Sequence, residues 1–193
     1  MNSLFFEVLL APGFAPDALE LLKQKKNRIL VKTNAVKPTE HRVRSVLNGV
    51  LIQERDHHTD SAADLRVVTK VAPTPEQVAD LLYASALSKH TKSNTIVLVK
   101  NQQLIAAGTG QTSRVDALQQ AIHKAKSFGM SLKDAVMASD AFFPFPDCVE
   151  IAYQEGITAV IQPGGSVKDD LSVQYCDQQG MAMVMTGIRH FKH

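Results

Sequence analysis

Residues 95–116 read TIVLVKNQQLIAAGTGQTSRVD, and the fold turns on how this stretch is divided. Thr95–Lys100 is an almost unbroken apolar run with β-branched residues, and Leu104–Gly108 is a second. Runs of this length and make-up read as strands. Asn101-Gln102-Gln103 leaves room only for a hairpin between them. Gly108 and Gly110 then free the backbone, and Ser113 with Asp116 has the spacing of a capping box. From Arg114 to Phe128, Val115, Leu118, Ile122 and Ala125 share one face, which is a helical pattern. The stretch is strand, hairpin, strand, helix.

The same alternation runs outward in both directions. Downstream it gives a strand near Ala135–Ala138, a helix Cys148–Gln154, a strand Ile157–Ile161, a helix Val167–Gln179 and a strand Met181–Met185. Upstream, TPEQ (74–77) supplies Thr74 as N-cap, Pro75 at the first helical position and Gln77 as capping-box partner, for a helix to about Leu87. Near the start, Leu4–Leu10 reads as a buried strand. APGF (11–14) turns the chain, Asp17–Lys26 reads as a helix with Ala18, Leu21 and Leu22 on one face, and Ile29–Lys32 reads as a strand. Val43–Gln53 is apolar enough to be ordered, and ERDHHTDSAAD (54–64) reads as a polar loop. His57 and His58 beside Asp56 and Asp60 have metal-ligating chemistry, but neighbours in one loop rarely form a site unaided. Strands alternating with helices imply an α/β fold with a largely parallel sheet and helices on its faces.

The composition narrows the function classes. The 193 residues suffice for one large or two small domains, and 45% apolar with 21% charged residues is globular rather than disordered. A net charge of +2 gives no general reason to expect nucleic acid, and KQKKNR (23–28) reads as a solvated helix end. Only Cys148 and Cys176 occur, without metal-like spacing, which fits a reducing compartment. No apolar run reaches the roughly 20 residues of a membrane helix, and MNSLFFEVLL lacks a basic n-region and a cleavage site. The expectation is a cytoplasmic protein that binds neither nucleic acid nor membrane.

Three strand-to-helix junctions share one design. GTGQTSRVD pairs Ser113 with Asp116, FPFPDCVE pairs Asp147 with Glu150, and QPGGSVKD pairs Ser166 with Asp169, each read as an N-cap and its partner. In a parallel sheet all three lie at the carboxyl edge of the strands, where ligands of open α/β sheets bind and helix starts offer free N–H groups. The hairpin brings KHTKSN (89–94) to the same edge, and the last strand delivers TGIRHFKH (186–193). Arg189 is thus a candidate for gripping a phosphate or carboxylate. Lys89-His90 reads as helix-end charge rather than a catalytic pair. In SDAFFPFPD (139–147), the prolines end the strand and Phe143 and Phe145 are expected to fill core.

KHTKSNT, GTGQTSRVDA, SDAFFPFPD, GITAVIQPGGS and the terminal TGIRHFKH resemble, in order, the C-terminal part of the bifunctional purine-biosynthesis family. That family combines AICAR (aminoimidazole-carboxamide ribonucleotide) transformylase with IMP cyclohydrolase. The resemblance is dense over residues 85–193, and APGFAPDALELLKQKKNRILV extends it toward the start. It implies a cytidine-deaminase-like layered fold, without the deaminase zinc. Residues 1–35 would be the tail of a preceding unit, 36–73 a connecting segment, and 74–193 the second such unit of the transformylase.

The family moves a formyl group from 10-formyltetrahydrofolate to the amine of AICAR. By resemblance, Asn94, Arg114, Phe142 and Arg189 match nucleotide-binding positions, and Val115, Asp147, Ser166 and Val167 match positions near the folate. Ser88, Thr91, Ser93 and Asp140 fall where some members hold potassium. Phe142 would offer a flat apolar wall to a heterocycle. The resemblance covers neither the cyclohydrolase nor the transformylase half that carries the family's catalytic Lys-His pair. It therefore implies a portion with little or no activity alone and no catalytic residue of its own. Pro146 stands where an arginine is common. Family members form dimers, which implies a homodimer. The alternative is a nucleotide- or folate-binding assembly module that works with a separate partner chain.

Overall fold

The computed structural model describes residues 4–34 and 39–192. Residues 1–3, the boundary expected at 35/36 and the terminal His193 lie outside the described residues. The chain divides into two compact units, Met1–Arg55 and Asp56–His193. That division falls inside the segment read from sequence as a connector.

In the first unit, β1 (Val8–Ala11), α1 (Pro16–Lys23) and β2 (Ile29–Lys32) form a β-α-β unit with parallel strands, Val8 opposite Ile29 and Leu10 opposite Val31. Pro16 opens α1 because its missing N–H would have no partner there anyway. Leu22 is the buried hydrophobic residue of the helix. The expected strand Leu4–Leu10 is corrected on two counts: it spans Val8–Ala11, and it is not buried. Val8, Leu10, Ile29 and Val31 are all exposed, because one helix covers one face of a two-stranded sheet and the period-2 alternation puts these four on the other. Val43–Gln53 belongs to an antiparallel hairpin, β3 (His41–Val46) and β4 (Gly49–Glu54), with Leu47 at a positive φ of 50° in the turn.

The second unit is a six-stranded mixed sheet. Its elements in order are β5 (Arg66–Val67), α2 (Pro75–His90), β6 (Ile96–Lys100), β7 (Gln103–Gly108), α3 (Arg114–Ser127), β8 (Val136–Ser139), α4 (Asp147–Gln154), β9 (Ala159–Gln162), α5 (Asp169–Gln179) and β10 (Ala182–Met185). The strands lie in the order β5-β10-β9-β8-β6-β7. β8, β9 and β10 are parallel neighbours, while β6 runs antiparallel to both β7 and β8, so β7 points the same way as that trio. The two-residue β5 pairs antiparallel with β10.

Helices cover both faces, which is why the strands read as continuous apolar runs. Along β6, Val97 and Val99 face α2 and pack with Leu81, Ala84, Val136, Ala138, Ile161 and Val184. Ile96 and Leu98 face the other way and pack with Leu118 and Ala121 of α3, Val149 of α4 and Cys176 of α5. Fully burying one such side chain stabilises the unit by about 1.5–3 kcal/mol. Gly108 lets α3 approach β7 closely: a Cβ there would lie 1.8 Å from the Ala117 carbonyl oxygen. On the opposite face, Asp80 of α2 accepts the backbone N–H groups of Asn101 and Gln102 at 2.8 and 2.6 Å. Both turn residues have positive φ, 53° and 54°, so this carboxylate secures a turn that lacks glycine.

Candidate functional site

The common direction of β7, β8, β9 and β10 puts their carboxyl ends on one edge, together with the start of β6. Backbone bonds stitch that edge. Gly110 N–H donates to Lys92 O at 2.7 Å, Asn94 and Gln111 exchange bonds at 3.3 Å, and Ser93 N–H donates to Lys192 O at 2.9 Å. His190 N–H donates to Asp140 O at 3.0 Å. Segments 92–94, 109–112, 139–140 and 190–192 are therefore neighbours.

The helix starts differ from one another. At α3, the Ser113 hydroxyl accepts from Asp116 N–H at 3.1 Å and lies 2.7 Å from Asp116 Oδ2. The expected start at Asp147 is corrected: Pro146 is the N-cap and Asp147 the first helical residue, its Oδ1 accepting from Cys148 N–H at 2.8 Å. Pro146 already brings a helical φ of −75°, so the backbone starts the helix without a side-chain cap. The start expected at Ser166 is also corrected. Asp169 Oδ2 accepts from Gly165 and Ser166 N–H at 2.7 and 3.1 Å, forming a turn, and α5 begins only at Asp169. Gly164 and Gly165, with φ of 75° and 101°, hold that turn outside helical geometry.

Arg114 opens α3 with its side chain only 13% exposed and Nη2 3.6 Å from Asp140 Oδ1. Its Nε is buried without a hydrogen-bond partner among the described residues. Burial lowers its pKa, Asp140 opposes that, and the charge of Arg189 lowers it further, so the two guanidinium groups feel one another. Arg189 is exposed, its Cζ 3.9 Å above the Phe191 ring. Asn94 Nδ2 donates to Gln111 O and Thr112 O at 2.9 and 3.1 Å, fixing the loop that leads to Arg114.

The three phenylalanines of SDAFFPFPD separate. Phe143 is fully buried, and its N–H donates to Gln162 Oε1 at 3.0 Å. Phe142 is half-buried. The expectation that Phe145 fills core is corrected: it is 48% exposed and lies 4.1 Å under the Lys168 ammonium. Its flanking prolines, Pro144 and Pro146, carry it past the end of β8, where no sheet residue can cover it. Val115, Asp147 and Ser166 are half-buried at the same edge, and Val167 is fully exposed.

Ser88, Thr91 and Asp140 are linked by hydrogen bonds through Thr95, while Ser93 bonds to Lys192. The Thr91 hydroxyl donates to Ser88 O at 2.8 Å and lies 2.9 Å from Thr95 Oγ1, while Thr95 N–H donates to Asp140 Oδ1 at 3.2 Å. Ser93 Oγ accepts from Lys192 N–H at 2.8 Å. Asp140 Oδ2 is buried with no hydrogen-bond partner among the described residues, an acceptor that suits a cation. The Ser88 hydroxyl, by contrast, is engaged by Ser85 O at 2.9 Å.

Sequence reasoning missed the network around His190. His190 Nδ1 lies 2.5 Å from Asp56 Oδ2, and Nε2 lies 3.0 Å from Asp60 Oδ2. Asp60 also accepts from the Ser85 hydroxyl at 2.5 Å. His58, Asp60 and Asp64 cluster, but Asp64 Oδ2 is held by Ser61 N–H and Oγ at 2.7 and 2.8 Å. Lys89 binds the His58 carbonyl and lies 4.0 Å from Asp56, so Lys89 anchors this loop. The two thiols are buried, and burial pushes Cys148 and Cys176 up to about 12, which leaves them inert as nucleophiles.

This is a layered α/β protein whose strand carboxyl edge gathers two guanidinium groups and a half-buried phenylalanine, a set suited to an anionic ligand with a flat ring. The family model described as AICARFT/IMPCHase bienzyme matches residues 1–124, and the chain belongs to that family. It is 64% identical over its whole length to the bifunctional purine biosynthesis protein PurH of Bacteroides thetaiotaomicron, and 48% identical to that of Aquifex aeolicus. It spans 38% of the length of each. Among solved structures, dCMP deaminase from cyanophage S-TIM5 aligns at 20% identity over 57% of this chain and 98% of its own, with a TM-score of 0.41. Among the described residues, no helix is long and apolar enough to cross a membrane.

Proposed function

We propose that the chain is the C-terminal portion of an AICAR transformylase, and that its sheet edge binds AICAR beside 10-formyltetrahydrofolate. The observation that supports this most is the convergence of Arg114 and Arg189 on one edge although they lie far apart in sequence: Arg114 Nη2 is 3.6 Å from Asp140 Oδ1, and His190, next to Arg189, donates its N–H to Asp140 O at 3.0 Å. Asp140 answers the charge of Arg114, which leaves a net positive edge once Arg189 is counted, and the nucleotide phosphate is an anion that suits it. Phe142 would flank the imidazole ring, and Asn94 would hold the loop that carries Arg114. Asp147, Ser166, Val115 and the exposed Val167 would meet the folate, with Asp147 accepting from its amino-pteridine. Potassium would be taken by Asp140 together with Ser88, Thr91 and Ser93, the Asp140 carboxylate supplying the charge.

In this reading residues 74–193 are the second cytidine-deaminase-like unit, and the residues present bind and orient rather than move protons. Lys89 is committed to the loop at 56–59 and supplies no base. The working compartment is the cytoplasm, where the purine pathway's folate cosubstrate is used. The test is formyl transfer by the purified 193-residue chain with AICAR and 10-formyltetrahydrofolate, alongside binding of each by calorimetry. Binding without turnover supports the reading. Full turnover overturns the view that the proton-transfer groups lie elsewhere, and no binding of either ligand overturns the site.

A further inference from the structure

We infer that the Asp56–His190–Asp60 clip is a positioning device that aims Arg189 at the ligand edge, an inference that rests on the ligand class proposed above. Segment 186–192 leaves β10 without regular structure, yet it carries one of the two guanidinium groups. Its backbone is tied at both ends: Thr186 and Gly187 N–H donate to Gln162 O and Pro163 O at 3.1 and 3.0 Å, and Lys192 N–H donates to Ser93 Oγ at 2.8 Å. Between those ties, the side chain that enters the protein is His190, 4% exposed, while its neighbour Arg189 is exposed.

His190 is held at both ring nitrogens by carboxylates. Both nitrogens must then donate, which fixes the ring plane and with it the Cα–Cβ direction of residue 190. Asp60 is itself locked: its side chain is 1% exposed and its Oδ2 is shared with the Ser85 hydroxyl of α2. The charged groups that face the ring are Asp56, Asp60, Lys89 beside Asp56, and the His58 ring at 6.5 Å. Rotating His190 out would cost both carboxylates their imidazole donor and leave the buried Asp60 with the Ser85 hydroxyl and Asp56 with Lys89 at 4.0 Å, so the segment has one preferred seat. Arg189, next along the chain and stacked on Phe191, is carried to the edge by that seat.

The test compares AICAR with its ribonucleoside, which lacks the phosphate, by calorimetry on the chain and its variants, with amide exchange of residues 186–192 measured in parallel. His190→Ala is expected to speed exchange of that segment and to weaken ribonucleotide binding by about tenfold, while ribonucleoside binding changes by less than about twofold. Asp56→Asn, at the exposed end of the clip, is expected to give a smaller loss of the same kind and covers the case in which His190→Ala fails to fold. In an Arg189→Ala background, His190→Ala is expected to cause no further loss, because it acts through Arg189. Equal losses for both ligands, additive losses in the Arg189→Ala background, or faster exchange with intact ribonucleotide binding would each overturn the inference. No preference for ribonucleotide over ribonucleoside in the unsubstituted chain would overturn the ligand reading itself, and the inference with it.

Discussion

Arg114 and Asp140 stand 3.6 Å apart at the head of α3 and the end of β8, the carboxylate almost fully buried. Asp140 also accepts from Thr95 N–H and so joins α3, β8 and the start of β6. Replacing Asp140 with Ala leaves a largely buried guanidinium without its counter-charge and a backbone N–H without its acceptor. A loss of about 3 kcal/mol is expected, read as a lower urea midpoint. An unchanged midpoint would mean that water already serves Arg114.

Gly108 makes a steric prediction. Any side chain there meets the Ala117 carbonyl at 1.8 Å, and backbone cannot swing aside as a flexible side chain can. Gly108→Val should push α3 off β7 and cost about 3 kcal/mol or more. Because Arg114 opens α3, its place at the edge should be lost too. Thermal unfolding within a degree of the parent would show that the helix moves freely.

The Asp80 carboxylate predicts a local loss. Asp80→Ala strips two N–H groups of their acceptor in a turn already at positive φ. The expected cost is about 2 kcal/mol, with faster amide exchange at Asn101 and Gln102 and little change at the sheet edge where Arg114 lies.

The His190 clip gives stability a pH dependence. Burial pushes the His190 pKa down, but hydrogen bonds to Asp60 and Asp56 and their charges outweigh it, so the folded value is raised. Burial likewise pushes Asp60 up, but the bonds from His190 and Ser85 and the histidine charges bring it below its ordinary value. A raised histidine contributes fully below its unfolded pKa, about 6.5, and loses that contribution as pH rises through the folded value. A lowered aspartate contributes above its unfolded pKa, about 3.9, and loses it as pH falls. The advantage of the unsubstituted chain over His190→Gln should therefore be largest at about pH 4–6.5 and shrink on the alkaline side. Urea midpoints of both proteins from pH 5 to 9 measure it; a gap that widens with pH would reverse the sign.

The exposed face of Val8, Leu10, Ile29 and Val31 bears on assembly. Bare apolar strand faces favour association, and a homodimer is expected. Sedimentation should show mass rising with concentration, and Val31→Lys with Leu10→Lys should shift it toward monomer. A monomer at every concentration would contradict the expectation.

Much of the second unit is readable in the sequence because its central strands are buried on both faces and two of its helices, α2 and α3, carry side-chain caps. Thr74 and Ser113 mark their helices correctly, each accepting from the residue three places on. Asp147 and Ser166 mislead because a proline and a pair of left-handed glycines, not side-chain caps, set those starts. β3 and β4 escape because their apolar residues lie on both faces of an exposed hairpin, so the period-2 signal is blurred. β5, two residues long, has no period at all. The edge that gathers Arg114 and Arg189 follows from strand direction alone. The clip at His190 does not: Asp56 and Asp60 read as loop residues until the sheet brings a segment more than a hundred positions away against them.

The most direct test of the central claim is calorimetric titration of AICAR into the unsubstituted chain, Arg114→Met and Arg189→Met. One saturable site per chain is expected, weakened at least tenfold by either change and without loss of fold by circular dichroism. Affinity that is absent in the parent, or untouched in both variants, would contradict the assignment of this sheet edge as the nucleotide site.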